Sequence, residues 1–504
     1  MGFEGLILGF ASVITPTNLL ACLVGCLLGT MTGVLPGLGP AAAMALLLPI
    51  TLGMPVAASI IMLASIFYGA MYGGSTTSIL LNVPGESASV VTCIDGHEMA
   101  KKGRGGAALA AAAISSFVAG TLSVVGVMLF APPLARAALA FGPPEYFALA
   151  LLGFLCLSNL SGDSFLRSML MVVLGVATGT VGLDIVSGVP RFIFGIASIS
   201  QGIDLIAILM GLFGMAEIVK CVSGREQVTE VINVKFRELY PTKKELKRCV
   251  MPTLRGAAIG FPVGILPGPG HILSSFISYK VEKSVSKHPE EFGKGAIEGV
   301  AGPEAANNAA STASLIPLLA LGLPFTPGMA ILIGAFVMHG ISPSPMLITQ
   351  HPEVFWAVVA SMYVGNIALV ILNLPLVGVF ASLIKTPGYY LMPVVTSIML
   401  IGAYAGYNSI QEIIILIIAG IIGYIMKAVG YSPIPFIIGM VLGSVYEESM
   451  VQGLLMTDGS FMGFFLRPIS GTIMSLSVLT LLWGIFGKTI TKFVKGRAKT
   501  QATI

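Results

Sequence analysis

The chain has 504 residues, 55% of them hydrophobic and only 10% charged, with a mean hydropathy of +0.93 and a formal net charge of +4. A water-soluble domain of that composition would have nowhere to put its apolar surface, which leaves a polytopic membrane protein. The positive charge is divided among separate loops, which argues against a nucleic-acid interface, and six scattered cysteines without CxxC spacing argue against a disulfide framework or a zinc centre.

Residues 1–16 are apolar but lack a basic start and a small-residue cleavage site, so they are expected to stay in the mature protein. The next apolar region, 18–52, is interrupted by GVLPGLGP at 33–40, and glycine and proline at that density predict a helical hairpin rather than one helix. Residues 55–83 form a second stretch, interrupted by glycines, that ends ahead of the basic run Lys101–Arg104. Four apolar spans follow, among them 107–130, 147–160 and 165–186, each near the ~20 residues needed to cross ~30 Å of hydrocarbon.

A basic linker, 221–250, precedes the second half. There 250–279 is broken by GILPGPGH at 264–271, which repeats the first interruption 231 residues later, and it carries basic loops at both ends. That pattern predicts a re-entrant hairpin. A second interrupted stretch, 296–323, follows it, then spans at 354–374, 412–425 and 469–486 and a basic tail, 488–504.

Most of the 27 lysines and arginines fall in the runs at 101–104, 220–255, 280–294 and 488–499, and the positive-inside rule makes all four runs, and hence the C-terminus, cytoplasmic. The even number of spans between the first two runs agrees with this. The expected fold is therefore an all-α polytopic membrane protein of roughly ten to twelve transmembrane helices. It is built from two inverted-topology repeats, 1–220 and 251–487, each with a re-entrant hairpin and a broken crossing helix. The motifs STTSIL at 75–80 and STASLI at 311–316 give the expected register between the two crossings.

Breaks inside lipid leave backbone N–H and C=O groups without partners, at several kcal/mol each, so they survive where a polar cavity or ligand satisfies them. Half-helix N-termini suit carboxylates, and unwound carbonyls suit a cation. On this ground Gly37, Gly39, Gly268 and Gly270 are expected to bring backbone close to a substrate, with His271 beside the second tip. The hydroxyls and amides of Ser75, Thr76 and Asn82 in the first half would bind it too. Asn307, Asn308, Ser311 and Thr312 would do the same in the second. Pro36, Gly73, Gly74, Pro267 and the deep carboxylate Glu304 are the expected ion-coupling residues, with Na⁺ the only metal allowed for. No cofactor is called for. HEMAK at His97 is not HExxH, and there is no P-loop and no GxSxG elbow, so neither zinc-protease, nucleotide-driven nor serine-hydrolase chemistry has support.

Six stretches carry a resemblance: GVLPGLGPAAAMALLLPIT, FYGAMYGGSTTSILLNVPGESASVVTCIDGHEMAKKGRGG, EFGKGAIEGVAGPEAANNAA, MHGISPSPML, ASMYVGNIALVILNLPLVG and FFLRPIS. Together they resemble the large membrane subunit of tripartite tricarboxylate transporters, the TctA family, from about residue 19 to 470. The resemblance implies a secondary transporter in the cell (inner) membrane, importing a small organic carboxylate such as citrate by symport with a cation. Its implied partners are a small membrane subunit (TctB-like), an extracytoplasmic substrate-binding protein (TctC-like) and the lipid bilayer. The chain departs from the usual GIPG-like turn at Gly322-Leu-Pro-Phe325. Carriage of aromatic or C4-dicarboxylate anions stays open as an alternative, as does a channel with re-entrant filter loops, although paired breaks within one chain favour a carrier.

Overall fold

The computed structural model describes residues 2–35, 39–160, 164–184, 189–196, 199–200, 202–223, 241–376, 379, 388–407 and 409–501. These residues are almost all helical, and the one strand pair among them joins Gly182–Leu183 to Pro190–Arg191. By length and composition, seven described helices can cross a membrane: Pro16–Gly33, Val56–Leu81, Ala100–Ala138, Pro352–Asn373, Ile410–Ala428, Pro433–Met456 and Pro468–Gly487. Four shorter apolar helices, Glu4–Val13, Pro40–Thr51, Phe165–Gly179 and Pro327–Met338, accompany them. The all-α membrane class holds, and with the four shorter helices the described apolar helices number eleven, within the expected ten to twelve.

The chain forms two compact units. One comprises Met1–Ala138 and Asp204–Ile425, and the other Leu139–Ile203 and Met426–Ile504. The larger holds both interrupted regions.

Within the larger unit the repeat is visible as one packing pattern used twice. Pro16–Gly33 lies on Val56–Leu81 through Gly25, Gly29 and Gly33, where an added Cβ would sit 2.6, 2.3 and 2.2 Å from the carbonyl oxygens of Met62, Ile66 and Ala70. Lys243–Ile265 lies on Glu298–Ala313 through Gly256, Gly260 and Gly264, at 2.3, 2.2 and 2.2 Å from the carbonyls of Gly302, Ala306 and Ala310. Small residues at every fourth position let the backbones approach this closely, which is how helices associate where lipid removes the hydrophobic drive.

The glycines correspond at the expected 231-residue offset, but the carbonyls they rest on are 240 residues apart. The STTSIL and STASLI motifs, offset by 236, are thus one helical turn out of register. The serine-threonine runs are similar in composition but do not occupy matching places.

The first crossing also differs from expectation, because Val56–Leu81 is one continuous helix with no break at Gly73-Gly74. Those glycines serve close approach instead. A Cβ on Gly73 would meet the Thr30 carbonyl at 2.4 Å, and one on Gly74 would meet Glu86 Cγ at 2.8 Å. The interruption comes later, at Asn82, which closes the helix in the left-handed region with φ 58° and ψ 28°. The second crossing behaves alike. Glu298–Ala313 passes through Ser314, which keeps helical angles, into Leu315–Leu321 and ends at Gly322 with φ 71° and ψ 22°. Asn82 and Gly322 are again 240 residues apart, and each is followed by a proline two residues on.

The second hairpin is closed by Leu266–Pro269, with Gly268 at φ +122°. Arg255 on one arm bonds the buried Glu282 on the other at 2.8 and 2.5 Å, which holds the arms antiparallel. The first hairpin tip, Pro36, Gly37 and Leu38, lies outside the described residues, as does 224–240 of the basic linker.

In the smaller unit Pro143–Leu160, Pro433–Met456 and Pro468–Gln501 gather an aromatic core in which Phe147 stacks on Tyr446 at 4.8 Å and meets Phe464 edge-on at 5.1 Å. Glu145, 2% exposed in its side chain, is neutralised by Arg467 at 2.8 Å. The span expected over 165–186 stops at Gly179 and turns into the strand at Gly182. The basic tail continues the last helix as far as Gln501.

Candidate functional site

The polar residues of the two crossings meet inside the larger unit. Glu304, 2% exposed, sits near the middle of Glu298–Ala313, flanked by Pro303 and Ala305 with Asn307 and Asn308 one turn on. Its Oε2 accepts from Ser75 Oγ of the first crossing at 2.7 Å, and its Oε1 accepts from the Thr92 hydroxyl. Ser116, on the long helix Gly105–Ala138, lines the cavity beside this carboxylate and accepts from Asn308 Nδ2 at 2.6 Å. Asn308 makes a second bond to the Glu304 carbonyl one turn back, at 3.1 Å.

One turn further, Asn307 Nδ2 donates at 2.9 Å to Glu86, a carboxylate 6% exposed. Glu86 stands just past the Asn82 break and caps the short turn Ser87–Ser89 by accepting from the Ala88 N–H at 3.3 Å. The amide donors of both asparagines are therefore occupied by groups of the protein. Ser311 and Ser314 return their hydroxyls to carbonyls of their own helix, those of Asn307 and Ser311, and Thr312 is buried beside them.

A cavity of about 20 Å³ opens beside Glu304, lined in part by Tyr72, Ser75, Thr76, Ser116 and Asn373. It holds room for about one water molecule. The tip residues do not reach it. Gly268 donates its N–H to the Phe325 carbonyl at 3.3 Å, at the end of the second crossing, and His271 offers its carbonyl to Ser274 and Ser275. Pro267 lies in the same tip, and Gly270 begins the returning arm where an added Cβ would sit 2.8 Å from the Val263 carbonyl. Gly39 caps Pro40–Leu47 with open space around it, and Asn82 is exposed. The structure thus brings Ser75, Thr76, Glu304, Asn307 and Asn308 together and leaves the described tip residues apart from them.

Sequence reasoning passed over Glu86, Thr92, Ser116, Tyr72 and Asn373. Glu86 carried a signal, since an acid directly after a Pro-Gly break is as conspicuous as Glu304. Ser116, beside Ser115, and Asn373 sit in apolar runs of ordinary membrane-helix composition and gave none.

A second polar cluster closes one face. Asp95, fully buried in the turn Cys93–His97, accepts from the N–H groups of Gly293, Gly295 and Ala296 at 2.8, 2.8 and 2.9 Å and from Tyr279 Oη at 2.8 Å. It pins a turn of the first half to the loop that starts the second crossing. Nearby, Arg104 pairs with Glu245, Lys102 bonds the Lys294 carbonyl, and Arg248 bridges Glu291 and Glu298. Arg248 holds the Glu291 carboxyl below the ordinary glutamate range. Three of the four basic runs therefore gather on one side of the unit, as the parity of the spans requires. Among the described residues no group of three or more His, Cys, Asp or Glu could hold a metal ion, and Cys22 and Cys26 pack against the Ser361 and Gly365 carbonyls.

Comparison with known proteins adds three findings. Residues 19–438 match the family described as "Tripartite tricarboxylate transporter TctA family". The chain is 46% identical over 496 residues, 98% of its own length and 99% of the relative's, to an uncharacterized 52.8 kDa protein in the TAR-I ttuC' 3' region of Agrobacterium vitis. It is 45% identical over 223 residues, 44% of its length and 92% of the relative's, to an uncharacterized protein in the TAR-II ttuC' 3' region of the same organism. No solved structure matches.

Proposed function

The chain belongs to the tripartite tricarboxylate transporter TctA family, which makes it the large, multi-pass membrane subunit of a transporter and not an enzyme, and we propose that it imports tricarboxylates or related carboxylates driven by a cation gradient, Na⁺ or H⁺. A small membrane subunit and an extracytoplasmic binding protein that delivers the substrate complete the proposed system. The membrane is the cell's inner membrane, and the gathered basic runs face the cytoplasm.

The observation that carries this reading is the doubled scaffold. Two glycine-seamed helix pairs each end a crossing at a left-handed residue, and a buried cluster of hydroxyls, amides and carboxylates lies between them. Paired interruptions around a polar centre are the architecture of a secondary carrier. The substrate carboxylates are proposed to meet the backbone N–H groups at Gly37, Gly39, Gly268 and Gly270 and the side chains of His271 and Asn82, displacing the Phe325 carbonyl from the Gly268 N–H and the Gly268 carbonyl from the Gly270 N–H. Asn307, Asn308, Ser75, Thr76, Ser311 and Thr312 form the wall behind them.

The test is uptake into proteoliposomes holding both membrane subunits. Uptake is expected to need the added binding protein and an imposed Na⁺ or H⁺ gradient. Uptake that proceeds without any ion gradient when ATP is supplied overturns the reading.

A further inference from the structure

Glu304 and Glu86 differ from the acids around them. Glu282, delivered by the second hairpin to the same helix, arrives paired with Arg255; Glu298 is paired with Arg248; and Asp95 is satisfied by three backbone N–H groups and a phenol. Glu304 and Glu86 receive neutral donors alone, and among the described residues no lysine, arginine or histidine forms an ion pair with either. Among the described residues the titratable groups that feel the charge of Glu304 are Tyr72, Glu86 and Cys93, none of them a cation. An ionised carboxylate in that setting carries a desolvation cost that hydroxyls do not offset.

A second observation points to what offsets it. The cavity beside Glu304 is walled in part by residues that carry two buried oxygen atoms without partners, the Tyr72 hydroxyl and the Asn373 amide oxygen, the residues being only 5% and 8% exposed. With Ser75, Thr76 and Ser116 they surround the carboxylate with oxygen atoms, the donor set of a hard cation. The volume of about 20 Å³ excludes the substrate, since pockets for organic ligands begin at ~300 Å³. An anion beside Glu304 would also add to the charge rather than cancel it.

We infer that this cavity is the binding site of the monovalent cation that drives transport, with Glu304 as its charged ligand and Tyr72, Ser75 and Asn373 as its neutral oxygen ligands. The inference rests on the cation-driven reading above and assigns that cation a cavity directly behind the substrate wall, with Ser75 and Thr76 common to both. Two sources supply such a charge: Na⁺ lodged in the cavity, or a proton on the carboxyl with water in the cavity.

Thermal unfolding of the purified full chain in detergent separates them, because a ligand that binds only the folded state raises its melting temperature. If the cation is Na⁺, NaCl raises the melting temperature saturably where choline chloride of equal ionic strength does not, and Glu304→Gln abolishes the response. If it is a proton, the wild type in choline chloride gains stability as pH falls. Protonation removes the uncompensated charge of the folded state, so that stability is present at low pH and lost as pH rises. Glu304→Gln, neutral at that position throughout, then keeps only the weaker pH dependence that Glu86 contributes.

Should Glu304→Gln fail to fold, Asn373→Leu and Ser75→Ala decide. At least a tenfold rise in the Na⁺ or proton concentration needed for the half-maximal shift supports the site, and wild-type midpoints in both variants overturn it. Identical responses of wild type and Glu304→Gln to both ions also overturn it. Uptake in proteoliposomes that is driven by a cation gradient despite that result leaves the carrier reading standing, so the two failures are distinguishable.

Discussion

The two crossings of the larger unit share a backbone and divide the chemistry. Both rest on three glycines spaced four apart, and both end at a left-handed residue, Asn82 in one and Gly322 in the other. Four residues beyond each end stands a helix cap, Glu86 on Ser87–Ser89 and Thr326 on Pro327–Met338. Yet the first hairpin region, 16–52, holds no charged residue, whereas the second has Arg255 clamped to Glu282. Where the second crossing carries Glu304, Asn307 and Asn308, the first has Ala64, Phe67 and Tyr68 at the corresponding places. The duplicated frame therefore makes one site rather than two. Hydroxyls from one copy turn toward the carboxylate of the other, and the pairing Ser75–Glu304 closes across the pseudo-repeat.

The largest way to break the comparison is to fill a glycine seam. A side chain at Gly260 meets the Ala306 carbonyl at 2.2 Å, and one at Gly29 meets the Ile66 carbonyl at 2.3 Å, so each helix pair would have to part. Gly322→Ala fails alike, with its Cβ 2.1 Å from the Pro343 carbonyl and φ in the left-handed region. Overpacking typically costs ~1–3 kcal/mol, and more where the obstructing atom is backbone. Gly29→Val, Gly260→Val and Gly322→Ala are each expected to lose monodisperse protein in size-exclusion chromatography. Gly39→Ala, in open space at φ −70°, should keep its yield. Equal yields across all four would dismiss the repeated seam as the frame's main support.

Next in size is the asymmetry between the hairpins. Arg255→Leu leaves Glu282, 1% exposed in its side chain, without a counter-charge. Breaking a buried pair costs ~3–5 kcal/mol, and with Arg255 one-third exposed about 2–3 kcal/mol is expected here. Thermal unfolding should drop sharply in Arg255→Leu and recover in Arg255→Leu/Glu282→Leu, because removing both charges removes the unpaired one. A double variant no better than the single would show that the pair positions the hairpin through its shape rather than its charge.

A smaller effect sharpens the division of chemistry. Asn307→Leu keeps bulk but takes from Glu86 its only side-chain donor among the described residues. A lost hydrogen bond to a charged group is worth ~1.5–3 kcal/mol, or ~10- to 150-fold in an equilibrium constant. Initial uptake rates, normalised to membrane-inserted protein, should fall by a factor in that range. Ala177→Val, on an exposed position of Phe165–Gly179, should leave them unchanged.

How much of this the sequence discloses depends on whether the cause is local. Glycine spacing is local, and the 231-residue match of GVLPGLGP and GILPGPGH located both hairpins and, with them, the seams. The register of the crossings is not local. It follows from which carbonyls the glycines rest on, and the similar words STTSIL and STASLI mislead it by one turn. Gly73-Gly74 reads as a break because glycine weakens an isolated helix. In the folded chain the same pair admits Thr30 and Glu86, and the helix stays whole. Glu304 was legible as an acid in an apolar run, while its setting was not, since Ser75, Thr92 and Ser116 lie roughly two hundred residues away in sequence. The orphaned oxygens of Tyr72 and Asn373 become informative only when the cavity between them is known.

The smallest expected change in stability lies at the end of the first crossing, and it separates a structural residue from a binding one. Asn82 occupies the left-handed region, which asparagine tolerates better than most residues and glycine adopts freely. Asn82→Gly relieves that strain but loosens the unfolded chain, and the two effects oppose each other at ~0.4–1 kcal/mol each. The net should lie within about 0.5 kcal/mol, a shift of ~2 °C or less in melting temperature for a chain of this size. Its counterpart Gly322 has no such latitude, because the Pro343 carbonyl fills the space where a side chain would go. Since Asn82→Gly leaves the fold alone, uptake by this variant reports on the amide itself. If the amide donates to a substrate carboxylate, the apparent affinity falls by roughly tenfold or more at unchanged melting temperature. If affinity is unchanged, Asn82 only closes the helix, and the two crossings end in the same way for the same backbone reason.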